Sequence, residues 1–116
     1  MIDDDRVNKL LNMLGDSPEK VADTLRKKNI KGRIGSRSSC PIANYLHRYH
    51  PGRVSVSQLM ARFYEKSGGT ERQMQIYLPD QLRDFVGRFD AGEYPDLIEW
   101  NSAYRDMNVQ VSVNDQ

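Results

Sequence analysis

At Val54 the spacing of the apolar residues changes period, and no all-helical or all-strand fold accommodates both halves of the chain. Before that point Val7, Leu10, Leu11 and Leu14 recur at i, i+3, i+4 and i+7. Val21, Ala22 and Leu25 form a second stripe, and Ile42, Ala43, Leu46 and Tyr49 a third. Each stripe is the buried side of an amphipathic helix. From Val54 onward the repeat is two. Val54 and Val56 alternate with serines, Leu59, Ala61 and Phe63 continue the alternation shifted by one, and Met74, Ile76 and Leu78 alternate with Gln and Tyr beyond Ser67-Gly68-Gly69-Thr70. That pattern predicts an antiparallel hairpin with one buried face. Helical spacing returns in Leu82, Phe85, Val86 and Phe89.

The punctuation agrees with the periods. Asp3, Asp4 and Asp5 sit where the positive end of a helix over 4–14 favours acid, and Gly15 ends that helix. Ser17-Pro18 opens a second helix reaching about Lys28, with a hydroxyl cap followed by proline at the first helical position. The stretch 29–39 is rich in Gly, Ser and basic residues and reads as a loop. Ser39 is the expected cap of a third helix over 40–49, stopped by His50-Pro51-Gly52. The shift between Val56 and Leu59 predicts a bulge or bend near Ser57, with a helix over 58–66 as the competing reading. Pro79 opens the long helix, Gly92 closes it, a short helix follows around Leu97, Ile98 and Trp100, and Val109, Val111 and Val113 predict an edge strand or a loose tail. The expected fold is α+β: three N-terminal helices, an antiparallel β-hairpin, then one long and one short C-terminal helix around a single core. At 116 residues one such domain over 1–105, with a tail over 106–116, is the size that a single core supports.

Charge is distributed unevenly. Nine Lys or Arg residues and no Asp or Glu lie between Thr24 and Tyr64. Residues 26–53 sum to +8 and residues 79–116 to −5, in a chain whose formal total is +1. Such polarisation creates a local field that attracts a polyanion whatever the net charge. No apolar run approaches the ~20 residues of a spanning helix, and the acidic start is unlike a secretory leader. A cytoplasmic protein without membrane contact is expected. A single Cys40 cannot form an internal disulfide.

Candidate chemistry concentrates in Lys31-Gly32-Arg33-Ile34-Gly35-Ser36-Arg37-Ser38-Ser39. Two glycines let backbone N–H groups face outward, hydroxyls add donors, and three cations surround a helix start, which is a plausible cradle for phosphate. The loop lacks the Gly-Lys-Ser/Thr ending of a nucleotide-hydrolysing P-loop. Gly32-Arg33-Ile34-Gly35 between helices resembles the Gly-x-x-Gly clamp of KH domains. The chain departs from that family in having a helix where the first strand belongs, a longer loop, and Pro41 in the following helix. A helix-turn-helix needs a turn of about three or four residues, far shorter than this loop.

Catalytic readings are weak. Cys40 at a helix start invites a nucleophile, but His47 is seven residues along the same helix, about 10 Å by the helical rise. One Cys and two His do not complete a structural zinc site, so neither a metal nor another cofactor is expected. His47 and His50 are expected to widen the basic face, and Tyr45 or Tyr49 to stack on a base if either projects beside Arg48. The carboxylates Asp80, Asp84, Asp90, Glu93, Asp96 and Glu99 read as a solvated face that partly neutralises the basic segment.

The segments Ser39-Cys40-Pro41-Ile42-Ala43-Asn44-Tyr45-Leu46 and Leu78-Pro79-Asp80-Gln81-Leu82-Arg83-Asp84-Phe85-Val86, continuing to Leu97, are similar to a pattern in small uncharacterised proteins of actinobacteria and their phages. The resemblance spans about residues 20–97 and implies an independently folding module in a regulatory or phage-related setting, with no activity and no functional residue to carry over. The sequence as a whole predicts a non-enzymatic binding module that meets nucleic acid through Arg26, Lys27, Lys28, Lys31, Gly32, Arg33, Gly35, Ser36, Arg37 and Arg48. The alternative is a protein-interaction or inhibitor module docking on an acidic protein surface, and the charge asymmetry also permits a homo-oligomer.

Overall fold

A computed structural model describes residues 3–99, and over that span helix and strand succeed one another where the periodicity changes. The elements are α1 (Asp4–Asn12), α2 (Pro18–Lys27), α3 (Pro41–His47), β1 (Val54–Val56), β2 (Met60–Ser67), β3 (Thr70–Tyr77) and α4 (Asp80–Asp90), followed by a 3₁₀ turn at Pro95–Leu97. Over the described residues the fold is thus α+β, with four α-helices and a three-stranded antiparallel sheet. The expected edge strand through Val109, Val111 and Val113, the contribution of Trp100 and the tail boundary at 105/106 lie outside the described residues.

Local chemistry sets the helix ends. The Asp3 carboxylate accepts the Arg6 N–H at 2.8 Å, and the Ser17 hydroxyl accepts the Lys20 N–H at 3.2 Å with Pro18 opening α2. At α3 the expected cap is displaced by one residue. Cys40, not Ser39, is the capping position, and its sulfur accepts the Ala43 N–H at 3.4 Å because Pro41 occupies the first helical turn. The helix also stops at His47, two residues before the predicted limit.

The sheet is a meander in the order β1-β2-β3. Of the predicted bulge or bend near Ser57 the structure has the bend, a reversal between two strands. Ser57 explains it: its N–H donates to the Met60 carbonyl at 2.9 Å, while its hydroxyl accepts the Leu59 and Met60 N–H groups at 3.3 and 3.1 Å. With the chain reversed there, β2 continues as a strand and the competing helix over 58–66 does not form. Phe63 lies opposite Val54 on one side and Met74 on the other. The last short helix is reduced to the 3₁₀ turn, since the Ile98 backbone is extended.

Alternation along the strands divides the sheet into two faces. Val54, Val56, Ala61, Phe63 and Ile76 are buried. They join one core cluster with Val7, Leu11, Leu25, Leu46, Leu82 and Phe85. α3 packs on β1, α1 reaches β3, and α2 lies against α4. The intervening residues Ser55, Arg62 and Tyr64 are half-buried, while Gln73, Gln75 and Tyr77 face solvent.

One backbone contact joins the loop after α2 to the far end of the domain. Gly32 donates to the Leu97 carbonyl at 2.9 Å and accepts the Glu99 N–H at 2.7 Å, forming a parallel bridge with Ile98. A Cβ at Gly32 would lie 2.4 Å from the Pro41 nitrogen, so only glycine fits. Gly35 differs: its φ of +72° favours glycine, but the space around it is open. Gly32→Ala is therefore expected to cost about 3 kcal/mol through overpacking, and Gly35→Ala about 1 kcal/mol through backbone strain alone. Urea unfolding of the two variants measures this, and equal midpoints would contradict the close-packed position of Gly32.

Candidate polyanion-binding face

The segment between α2 and α3 is held at many points. Ile30 closes the end of α2 by donating to the Leu25 carbonyl at 2.9 Å, and Gly32 is clasped as described. Arg33 donates its N–H to the Ser39 carbonyl at 2.8 Å. The Asn44 side-chain amide bonds both loop ends, the Lys31 carbonyl at 2.6 Å and the Ser39 carbonyl at 3.1 Å. Farther out, the Arg37 carbonyl accepts the Val56 N–H at 2.8 Å. This last bond lays the loop along the outer edge of β1.

Three of the ten expected site residues are committed within the molecule. Gly32 was expected to let a ligand approach the backbone, but both its backbone polar groups are bonded and the surface that comes close is the protein's own Pro41. Gly35 directs its N–H to the Asp90 carboxylate at 3.2 Å, so an acidic side chain already stands where the cradle would hold a phosphate. Arg26 lies between two carboxylates, its Nε at 2.5 Å from Asp96 and its Nη1 at 2.7 Å from Asp23. The hydrogen bond that Arg26 donates to Asp96 is the main reason that its guanidinium is held above its ordinary pKa, and the same bond pulls the Asp96 carboxyl below its own. These interactions are internal because α2 runs beside the 3₁₀ turn.

The other basic positions are available. Lys27, Lys28, Lys31, Arg33, Arg37 and Arg48 are exposed, and none pairs with a described carboxylate within salt-bridge distance. Arg48 bends from the end of α3 to the end of α2, donating to the Lys28 carbonyl at 3.3 Å. Two helix C-termini, each carrying partial negative charge, thus hold cations beside them. Lys31, Arg48, Asn29 and Asn44 line a shallow depression of about 400 Å³ whose one acidic wall is Glu99. Ser36 is half-buried at the inner side of the loop.

Beside this loop is a group of residues that the sequence reading left out of the site. Arg62 projects from the central strand, with Ser55 and Gln75 as its neighbours on either side. Its Nε is buried and has no hydrogen-bond partner among the described residues. Leaving a buried charged donor unmatched costs at least about 1–3 kcal/mol. Arg53 lies 4.0 Å over the ring of Tyr64, with Glu71 3.6 Å from its guanidinium. The signal was present in the alternation: Ala61 and Phe63 point inward, so Arg62 and Tyr64 must point out.

Burial removes several other candidates. Cys40 is 4% exposed, and burial pushes its thiol up to about 11. His50, expected on the basic face, is buried and bonded through Nε2 to the Tyr64 carbonyl at 3.0 Å, with its ring edge-on to Phe63. Tyr45 cannot stack on a base, since its ring is buried and its hydroxyl donates to the Leu10 carbonyl at 2.7 Å. Its phenol is raised to about 12 by burial. Tyr49 is partly exposed and packs edge-on against Tyr45 at 5.4 Å. Among the described residues no group of three or more His, Cys, Asp or Glu side chains converges as metal ligands would, and no helix is long and apolar enough to cross a membrane.

Two outcomes follow from these environments. Because the folded pKa of Asp96 is depressed, its contribution to stability is present above the ordinary Asp value of about 3.9 and is lost as pH falls through the lower, folded value. Carboxyl NMR titration should place the Asp96 midpoint below that of an ordinary Asp, and Arg26→Gln should bring it back up. Cys40 should resist a thiol-exchange reagent at pH 8 in the native protein and react fully in denaturant; rapid native labelling would contradict its burial. Compared with known proteins, the chain matches no family model, no curated protein and no solved structure.

Proposed function

We propose that this protein is a non-enzymatic binding module whose basic face contacts nucleic acid. The observation that carries the reading is the set of exposed cations from Lys27 to Arg48 that no described carboxylate neutralises. Elsewhere Lys20 pairs with Asp16, Arg83 with Asp80 and Arg88 with Glu19, while Arg6, Lys9, Lys66 and Arg72 are exposed and, among the described residues, unpaired like the loop cations. What distinguishes the basic segment is that its open cations lie in a stretch of sequence with no Asp or Glu, and phosphates satisfy the field of such a stretch without sequence-specific contacts.

The basic face is revised by the internal contacts. Arg26 and Gly32 support the loop, and Lys27, Lys28, Lys31, Arg33, Arg37 and Arg48 meet the phosphates. Gly35 and Ser36 remain at the margin, and a ligand reaching the Gly35 N–H must displace Asp90. Cys40 is a core residue with no acid–base partner, so no covalent step is assigned.

Binding of this type releases counterions, so log affinity should fall linearly with log salt, with a slope of about 0.9 per phosphate neutralised on duplex DNA and about 0.7 on a single strand. Anisotropy titrations between 50 and 200 mM salt, ranges in which such contacts lose orders of magnitude, measure it. Replacing Lys27, Lys31 and Arg33 by Ala should lower both affinity and slope. An affinity indifferent to salt, or a partner protein that remains bound after nuclease treatment of a lysate, would instead favour docking on an acidic protein surface.

A further inference from the structure

A small depression of about 160 Å³ lies where the basic loop meets the outward face of the sheet, lined by Arg37, Ser55, Ser57, Leu59, Met60 and Arg62. No carboxylate lines it. Arg37 reaches it from the loop, fixed by the bond between its own carbonyl and the Val56 N–H. Arg62 reaches it from the middle of the sheet, and its buried Nε has no hydrogen-bond partner among the described residues. Ser57 spends its hydroxyl on the turn before β2, whereas no hydrogen bond of the described protein engages the Ser55 hydroxyl beside Arg62. The geometry points to a phosphate-binding site here, which takes a backbone phosphate of a single-stranded nucleic acid lying across the open sheet.

Two guanidinium groups and a hydroxyl supply donors from different directions, and a tetrahedral oxyanion accepts from several directions at once. The surroundings specify the strandedness. Tyr77, 70% exposed, stands opposite Met60 at one end of the site, and Leu59 is 47% exposed on the adjoining turn. On the other side Tyr64 lies two residues along the same face of β2, about 7 Å further by the strand rise, with Arg53 over its ring. The exposed Tyr77 ring beside a phosphate site suits unpaired bases, whose faces are free to stack. A duplex keeps those faces covered.

This inference rests on the nucleic-acid reading, and two probes separate their failures. The first is inorganic phosphate, observed through the Arg62 Nε–H resonance in the full chain. Saturable movement of that signal, absent in Arg37→Ala, is expected; a signal that does not respond overturns the site. The second is a mixed-sequence 12-nucleotide strand, as DNA and as RNA, compared with its duplex. Arg62→Gln and Arg37→Ala should each weaken single-strand binding about tenfold and reduce the salt slope by about 0.7. Tyr77→Ala should weaken it comparably with the slope unchanged. Arg37 lies in an exposed loop, so its variant remains informative if Arg62→Gln proves unstable by circular dichroism. If Lys27, Lys31 and Arg33 replacements abolish binding while these three variants leave it intact, the site is wrong and the broader function stands. Duplex bound as tightly as single strand overturns the assignment, and a chain that binds neither overturns both readings.

Discussion

The clasp of Gly32 between Leu97 and Glu99 is the constraint on which the arrangement of the basic face depends. A residue with no side chain lets the loop backbone press against Pro41 on one side and the post-α4 segment on the other. Once that contact is made, Asn44 can bond both loop ends, and Arg37 can reach the edge of β1. The cations of the loop are then carried on a framed backbone. A charged loop of this composition without such ties would sample many conformations and lose binding free energy to ordering.

The acidic third of the chain has a more specific role than charge balance. Asp96 and Asp90 each meet one member of the basic segment, Arg26 and the Gly35 N–H respectively. The other described carboxylates of this third pair locally, as Asp80 does with Arg83, or face solvent. Sequence polarity is therefore converted into a partial intramolecular match, in which Arg26 is paired and Lys27, Lys28, Lys31, Arg33, Arg37 and Arg48 stay exposed. The same comparison explains why a near-neutral net charge is no guide to the partner.

Much of this was legible in the residues themselves. The helix stripes, the Ser17-Pro18 start and the Gly68-Gly69 turn follow from local chemistry, and each element they predicted exists. What could not be read was the outcome of competition between neighbours. Ser57 could end a strand or bulge it, and its three hydrogen bonds to the following residues decided for a turn. Ser39 and Cys40 were both placed to cap α3, and Pro41 fixed which one did. His50 and Tyr45 looked available because polarity suggests a surface; a backbone carbonyl far away in sequence satisfied each of them inside. Arg62 belongs to the basic run by sequence, but only strand alternation, which sends every second side chain out, brings it beside the loop.

The parallel bridge between Gly32 and Ile98 also joins residues separated by most of the chain. The sheet connects only sequential strands, through short turns, so its pairings are local and close quickly. The bridge must wait until a long intervening stretch is ordered, and its two hydrogen bonds offset only part of the entropy of that closure. Loss of this one long-range contact would free the loop backbone while leaving the locally paired sheet intact, so a locally unfolded form would keep its sheet while losing its electrostatic focus.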